Sequence, residues 1–522
     1  MKMAMKKYIY IIMCSLMALS MTSCNDYLEV YPENVEPTDK YWSTKEEVES
    51  TLFAAYYNLR DAVADYLIPW GELRAGCIYN RKGNVIQQFQ IKPTSSIASW
   101  APMYKIINNA NLVLANAEKA YDNDDTYEIG ALNSHYCEAY FLRALAYFYI
   151  VRNWKNAPLI TVPFETDEFS YNVAASSDTA IIAQIKNDLN TAIKLGAAKT
   201  QFDTTWETKG RATIWAIYAL MADVCLWNSD FDEAISYANA ILNSKDNSAP
   251  KFLSTSSRTS WFAIFNPGNS NESIFELQWS YEKRSNDGYQ TNNLSSLFQD
   301  GNDNFTYLYS TAMMENFESE IRDIQMEMIE ENTDLYVRTQ YGGYFNKQCW
   351  KYVGGAQGTT TNRITEGKED PNFIIYRVAD IMLLKAEALV MRSMGTNADD
   401  NFEAVRIVNQ IRNRTNLNDN TEINELSDAK TLLDAILYER IMELAGEGKA
   451  WYDFLRLGHY KDPSGNINFK KEFLIDNVMK YNIQASSAWI NSVLSDENAW
   501  YLPITDSEIK ANDLLIQNPY YI

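Results

Sequence analysis

Residues 216–242, AIYALMADVCLWNSDFDEAISYANAIL, constrain the fold more than any other stretch, because they read as two helices joined by the polar turn Asn228–Asp230. Ala222 and Ala234 stand where two helix axes must approach closely, and Tyr218, Met221 and Cys225 fill the seam between them. Asp230 opens the second helix. Such a pair leaves an apolar face that only further pairs can bury, so the rest of the chain should supply them. It does. A helix over 45–61 carries Val48, Leu52, Ala55, Tyr56 and Leu59 on one face, and a partner over 100–121 carries Met103, Ile106, Ile107, Ala110, Leu114 and Ala117. Residues 134–151 pair with 179–195, 210–227 with 232–242, and a fourth pair falls near 372–394 and 400–414.

The Ala-rich seam and the length of each unit resemble the tetratricopeptide repeat, a helix pair of about 34 residues. The predicted fold is therefore mostly α, a helical scaffold of four tetratricopeptide-like pairs over 46–245 and 372–460 with concave surfaces. Residues 246–371 differ in character: they hold 9 of the 20 glycines and 19 aromatic residues among many Asn, Ser and Thr, and predict a loop-rich, minor-β insert with few regular helices. Within it ESIFELQWSYE (272–282) alternates, placing Phe275, Leu277, Trp279 and Tyr281 on one strand face, read as packing on the scaffold. A C-terminal segment, 461–522, completes one globular unit.

The first 24 residues, MKMAMKKYIYIIMCSLMALSMTSC, are an export signal: Lys2, Lys6 and Lys7, then an apolar run from Tyr8 to Leu19, then small residues before Cys24. The apolar run is too short to span a bilayer. Small residues directly before a cysteine resemble the lipobox of bacterial lipoproteins, which implies lipidation at Cys24 and a tether over 24–45. Removing 1–23 takes away three lysines and no acid, carrying the net charge from −22 to −25 and pointing away from nucleic acid. Cys77, Cys137, Cys225 and Cys349 have no CxxC spacing, and His135 and His459 are the only histidines, so neither His-based metal sites nor most triads are easily built. Asp122–Asp125 lacks EF-hand spacing. No cofactor and no metal are expected.

Seven segments stand in a telling order: CNDYLEV, TKEEVESTLFAAYYNLR, EAYFLRALAYFYIVRNWKNAPLI, GRATIWAIYALMADVCL, NFIIYRVADIMLLKAEAL, ILYERIMELAGEGKAWYDFLRLG and YLPITDSEIKANDLLIQNPYY. Together they resemble SusD/RagB-family outer-membrane lipoproteins over essentially the whole mature chain. The sequence departs from that family at QNPYY, where QNPGY is usual, and at Ala445, where an aromatic is common. The resemblance implies a non-catalytic, lipid-anchored protein facing the cell exterior, which binds glycans and caps a SusC-like TonB-dependent outer-membrane transporter. Peptide cargo, as on the RagB side of the family, is an alternative implication.

A sugar ring offers apolar C–H faces and a belt of hydroxyls, so a binder needs flat aromatic rings and fixed planar hydrogen-bonding groups. Leu67–Gln90 matches that recipe on a predicted loop between helices, with Trp70, Arg74, Tyr79, Asn80 and Arg81 as candidates. Trp70 fits a core role equally well. In the insert, Tyr289, Tyr307, Tyr309, Tyr341 and Tyr344 are flanked by polar residues, and Tyr289, Tyr307 and Tyr309 join the candidates. Trp100, directly before a helix, reads as structural. Glu439, Glu443 and Glu447 recur every fourth residue, a spacing that permits a glycosidase carboxylate pair but that also suits an ion-paired face beside Arg440 and Arg456. GGAQG (354–358) is no phosphate loop, because no Lys-Ser/Thr follows it.

Overall fold

A computed structural model describes residues 41–165, 172–254, 257–285, 288–290, 294–299, 307–327, 335–340, 342–355, 361–461 and 468–522. The signal, Cys24 and most of the tether lie outside the described residues. The chain is 59 % helix and 7 % strand, the mostly α class that the periodicity predicts.

The four helix pairs are present. Helix α1 (Lys45–Ala62) starts at a capping box: Thr44 Oγ1 accepts from the Glu47 amide, and the Glu47 carboxylate accepts from the Thr44 amide at 2.9 Å. It packs on α2 (Ala101–Asn123), which packs on α3 (Ile129–Trp154), which packs on α4 (Asp178–Leu195). Ser177 caps α4 at its start, and Gly196, in the left-handed region at φ +64°, ends it. Next come α5 (Ile214–Trp227) and α6 (Phe231–Leu242), with Ala222, Ala234, Met221 and Cys225 buried in the seam as expected. Asp230 stands at the N-cap of α6, but its carboxylate takes the Lys186 ammonium (2.8 Å) and the Asn228 side-chain amide rather than an α6 backbone amide.

Strand β1 (Ile78–Asn80) follows α1, and β2 (Ser273–Leu277), β3 (Tyr307–Tyr309) and helix α7 (Thr311–Glu327) belong to the insert. Strand β4 (Phe373–Arg377) then leads into α8 (Val378–Ser393), α9 (Ala398–Arg414), α10 (Ala429–Glu443) and α11 (Ala450–His459). α8 packs on α9, α6 and α10, joining the fourth pair to the third. Helix α12 (Ser487–Leu494) lies in the C-terminal segment.

Three expectations are corrected. The run FIIYR, read as the start of a helix, is β4, paired antiparallel to β2 with Phe373 opposite Leu277 and Ile374 opposite Glu276. β2 is buried at all five positions rather than on one face; β4 pairs along its edge, and Phe275 meets Tyr56 and Phe141 of the scaffold at ring-centroid distances of 6.3 and 5.2 Å. The insert also holds a regular helix, α7, seated through Met313, Phe317 and Ile324.

The stretch after α1 is no simple loop. Val63–Leu67 and Pro69–Leu73 continue it as widened helical turns that carry Leu67, Ile68, Trp70 and Leu73 into the core. Gly71 is required there, since a Cβ would collide with the Gly448 carbonyl.

Candidate functional site

The antiparallel pairing of β1 with β3 places Asn80 opposite Tyr307 and Ile78 opposite Tyr309, so two candidate segments more than 220 residues apart meet in one ribbon. Most of their side chains, however, face inward. Trp70 is fully buried: its indole N–H donates to the Ile97 carbonyl (2.9 Å), and its ring meets Trp154 edge-on at 5.3 Å. The Arg74 guanidinium is buried over the Trp451 ring (4.2 Å) and donates to the Ala499 carbonyl. Burial without a carboxylate at hand lowers its pKa to about 10. Asn80 is buried and shapes the turn that follows, accepting from the Lys82 amide. Tyr307 packs on Phe298, and the Tyr309 hydroxyl lies against the Gly343 carbonyl and Cys349 Sγ. At least some of the insert tyrosines are expected at loop surfaces, but Tyr307, Tyr309 and Tyr344 are buried, the last two with their rings against Phe317 of α7. Tyr289 pairs with Arg284 in a short hairpin, and its side chain, like the whole of Tyr341, lies outside the described residues. Trp100 is buried against Tyr104 and Trp154.

Tyr79, half-buried, and Arg81, exposed, remain at the solvent end of the ribbon. They open a tight loop, 80–90, which Gln87 organises from within: its Oε1 accepts from the Asn80 amide and its Nε2 donates to the Ile78 carbonyl, both at 2.9 Å. The loop is tied to the C-terminal segment. Asn482 Nδ2 donates to the Gln87 carbonyl (2.8 Å), and the Trp489 indole N–H donates to the Gln88 carbonyl (2.9 Å). The two tied segments form a ledge, whose half-buried or exposed residues include Tyr79, Arg81, Asn84 and Gln88 on the first segment and Gln484 and Trp489 on the second. Trp489 was missed from sequence, although a helical projection of SAWINSVL puts Ile490, Val493 and Leu494 on the buried face and leaves Trp489 off it.

Glu439, Glu443 and Glu447 have no catalytic freedom, and they do not share one helix: α10 ends at Glu443 and Glu447 lies in the bend beyond it. Five cations, Arg338, Lys351, Arg377, Arg412 and Arg414, interlock with five carboxylates, Glu272, Glu320, Glu439, Glu443 and Glu447. Glu443 takes Arg377 at 2.8 Å and Arg414 at 2.5 Å. Burial by itself raises a carboxyl pKa, but Arg414, Arg377 and Arg338 overturn that and hold Glu443 at about 2. Glu447 is likewise held below its ordinary value, against burial, by Arg377 and Lys351. A general acid needs a proton near neutral pH, and Glu443 and Glu447 have none to give.

Among the described residues, one His/Cys/Asp/Glu group is close enough to hold a metal, Cys225 with Asp230 and Glu233, but Lys186 Nζ already sits on both carboxylates at 2.8 and 2.7 Å. Asp124 serves as a cap, accepting from the Lys45 and Thr126 amides. Both histidines are packed, one ring nitrogen of each lying 2.7 Å from a tyrosine hydroxyl, and burial lowers the pKa of each to about 4. No described helix is long and apolar enough to cross a membrane.

Two family models match the chain: the SusD family over residues 325–521, and a family described as starch-binding and associating with the outer membrane over 26–226. A SusD-like protein of Formosa agariphila is 27 % identical over 511 residues, covering 89 % of this chain and 94 % of the relative. A SusD-like protein of Bacteroides ovatus is 24 % identical over 569 residues, covering 96 % of each. Among solved structures, a SusD superfamily protein of Bacteroides thetaiotaomicron superposes with a TM-score of 0.69 at 21 % identity, covering 92 % of this chain and 99 % of that one. A laminarin-binding SusD-like protein gives 0.63 at 21 % identity, covering 92 % and 100 %. With both ends of the sequence matched and the helical scaffold shared, the chain belongs to the SusD/RagB family of non-catalytic binding proteins.

Proposed function

We propose that this chain is a surface glycan-capture lipoprotein, anchored through Cys24 at the outer membrane, which hands oligosaccharides to a SusC-like TonB-dependent transporter. The ledge at 79–90 and 482–489 carries the reading: it offers an aromatic ring, a guanidinium and several planar amides on a loop fixed by its own hydrogen bonds. Such groups match a neutral pyranose, and their prior ordering lowers the entropy lost on binding. The laminarin-binding structural neighbour and the starch-binding family description support the same cargo class. Glu439, Glu443 and Glu447 are sealed in ion pairs, so capture without cleavage is the chemistry this surface supports.

A broad glycan array followed by isothermal titration tests the proposal. We expect micromolar to millimolar binding of at least one neutral oligosaccharide, with no reducing sugar released. A blank array together with peptides co-purifying in mass spectra replaces the glycan by peptide cargo. Partnership with a transporter is tested separately, by co-purification from detergent-solubilised outer membranes.

A further inference from the structure

All thirteen tryptophans fall within the described residues, and they are not equivalent. Ten are buried, Trp206 and Trp227 are half-buried, and Trp489 alone is exposed, at 42 %. A large apolar ring left in water serves no folding purpose, since burying it would stabilise the chain. Yet this ring does not wander: its indole N–H is bound to the Gln88 carbonyl at 2.9 Å, on the loop that carries Tyr79 and Arg81. Two further exposed apolar side chains, Val85 (41 %) and Ile483 (46 %), lie on the same two segments. The side-chain amides of Gln88 and Gln484 stand where the two segments meet, both close to the point where a Cβ on Gly83 would lie. A fixed flat ring with planar donors and acceptors near it suits the C–H face and the hydroxyls of a sugar better than it suits a charged ligand.

Building on the proposed glycan function, we infer that Trp489 is the stacking platform of the site. One apolar face of a neutral pyranose lies on its ring, and the Gln88 and Gln484 amides take the neighbouring hydroxyls. The C-terminal segment, assigned no ligand role from sequence, then forms half of the site.

The test uses the intact protein with a panel of laminari-, malto- and xylo-oligosaccharides, beside the broad array, and the variants Trp489→Ala and Trp489→Phe, each checked by circular dichroism for retained fold. We expect Trp489→Ala to weaken the best-binding oligosaccharide at least tenfold. Trp489→Phe, which keeps a ring and loses the N–H, should stay within about threefold, and the bound sugar should protect intrinsic fluorescence from acrylamide. If the parent protein binds and Trp489→Ala binds equally well, this inference is wrong and glycan capture stands. If Trp489→Phe falls as far as Trp489→Ala, the indole N–H bond to the loop matters rather than stacking, and the inference is again overturned. Silence of the parent protein on both panel and array removes the glycan reading and the platform with it.

Discussion

The ion lattice around α10 and the ledge at 79–90 and 482–489 are built from overlapping residue types, and they differ in who satisfies them. In the lattice, Arg338, Arg377 and Arg414 are at most about 1 % exposed, and each meets two or more carboxylates. Its tryptophan, Trp261, is also buried and donates to Glu443 at 3.2 Å. On the ledge, the tryptophan is held by a single backbone carbonyl and keeps much of its ring in water. Residue type therefore does not announce a binding group. A group is available to a ligand when its own chain fixes its position without consuming its faces.

The lattice should show the larger effects. Glu443→Gln removes one of five carboxylates and leaves Arg377 and Arg414 buried with fewer counter-charges, which costs about 3–5 kcal/mol. Urea unfolding checks this, and an unchanged midpoint breaks the picture of the lattice as a structural unit. Trp70→Ala belongs to the same class although Trp70 was a ligand candidate. It empties a fully enclosed site beside Trp154 and strands the Ile97 carbonyl, at about 3–5 kcal/mol. The fraction that remains folded should bind the parent's best glycan with unchanged Kd; a selective loss of affinity would return Trp70 to the ligand side of the comparison.

How much of this could be read without coordinates follows from where each signal lives. The helix pairs are local: spacing, the Thr44/Glu47 capping box and Ser177 lie within a few residues of what they control. The fate of Glu439, Glu443 and Glu447 is not. Their four-residue spacing is legible, but the partners arrive from Arg338 and Lys351 in the insert, from Arg377 at the end of β4 and from Arg414 at the end of α9. β4 failed as a prediction because a short apolar run ahead of a helix has no period of its own. α7 was legible in Met313, Phe317 and Ile324 and was hidden by the polar composition around it. Of the candidate site, one wall lies within Leu67–Gln90, the stretch singled out from sequence, while the other wall required knowing that residue 482 meets residue 87.

A pH series sharpens the boundary between the two regions at Glu72, which sits beneath the loop's root. Its Oε1 accepts from the Gly448 and Lys449 amides at 2.8 and 3.1 Å, while Oε2 has no partner. Burial raises its pKa from 4.5 to about 8. The unfolded chain releases this proton near 4.5 and the folded protein only near 8, so the stability associated with the neutral form is complete below 4.5 and is lost as pH rises through about 8. Glu72→Gln keeps the acceptor and cannot ionise. The parent should lose about 1–3 kcal/mol relative to the variant between pH 5 and 9, the cost of a buried group left unsatisfied. Parallel urea titrations at both ends of that range measure the difference, and equal slopes with pH refute it.

The smallest effect on stability should come from the tie between the two walls of the ledge. Asn482 Nδ2 donates to the Gln87 carbonyl while its Oδ1 accepts from the Gln484 amide, so one side chain sets both segments. Asn482→Ala should cost only about 1 kcal/mol in unfolding, the net worth of one or two hydrogen bonds. Its effect on binding should exceed that, because the two segments then lose a tie that fixes them to each other and the ordering has to be supplied on association. We expect faster amide exchange across residues 79–90 and 482–489, little change in α10, and a glycan Kd raised several-fold. Faster exchange with unchanged Kd would show that the walls act independently, and that the ledge resembles the lattice less in its rigidity than its hydrogen bonds imply.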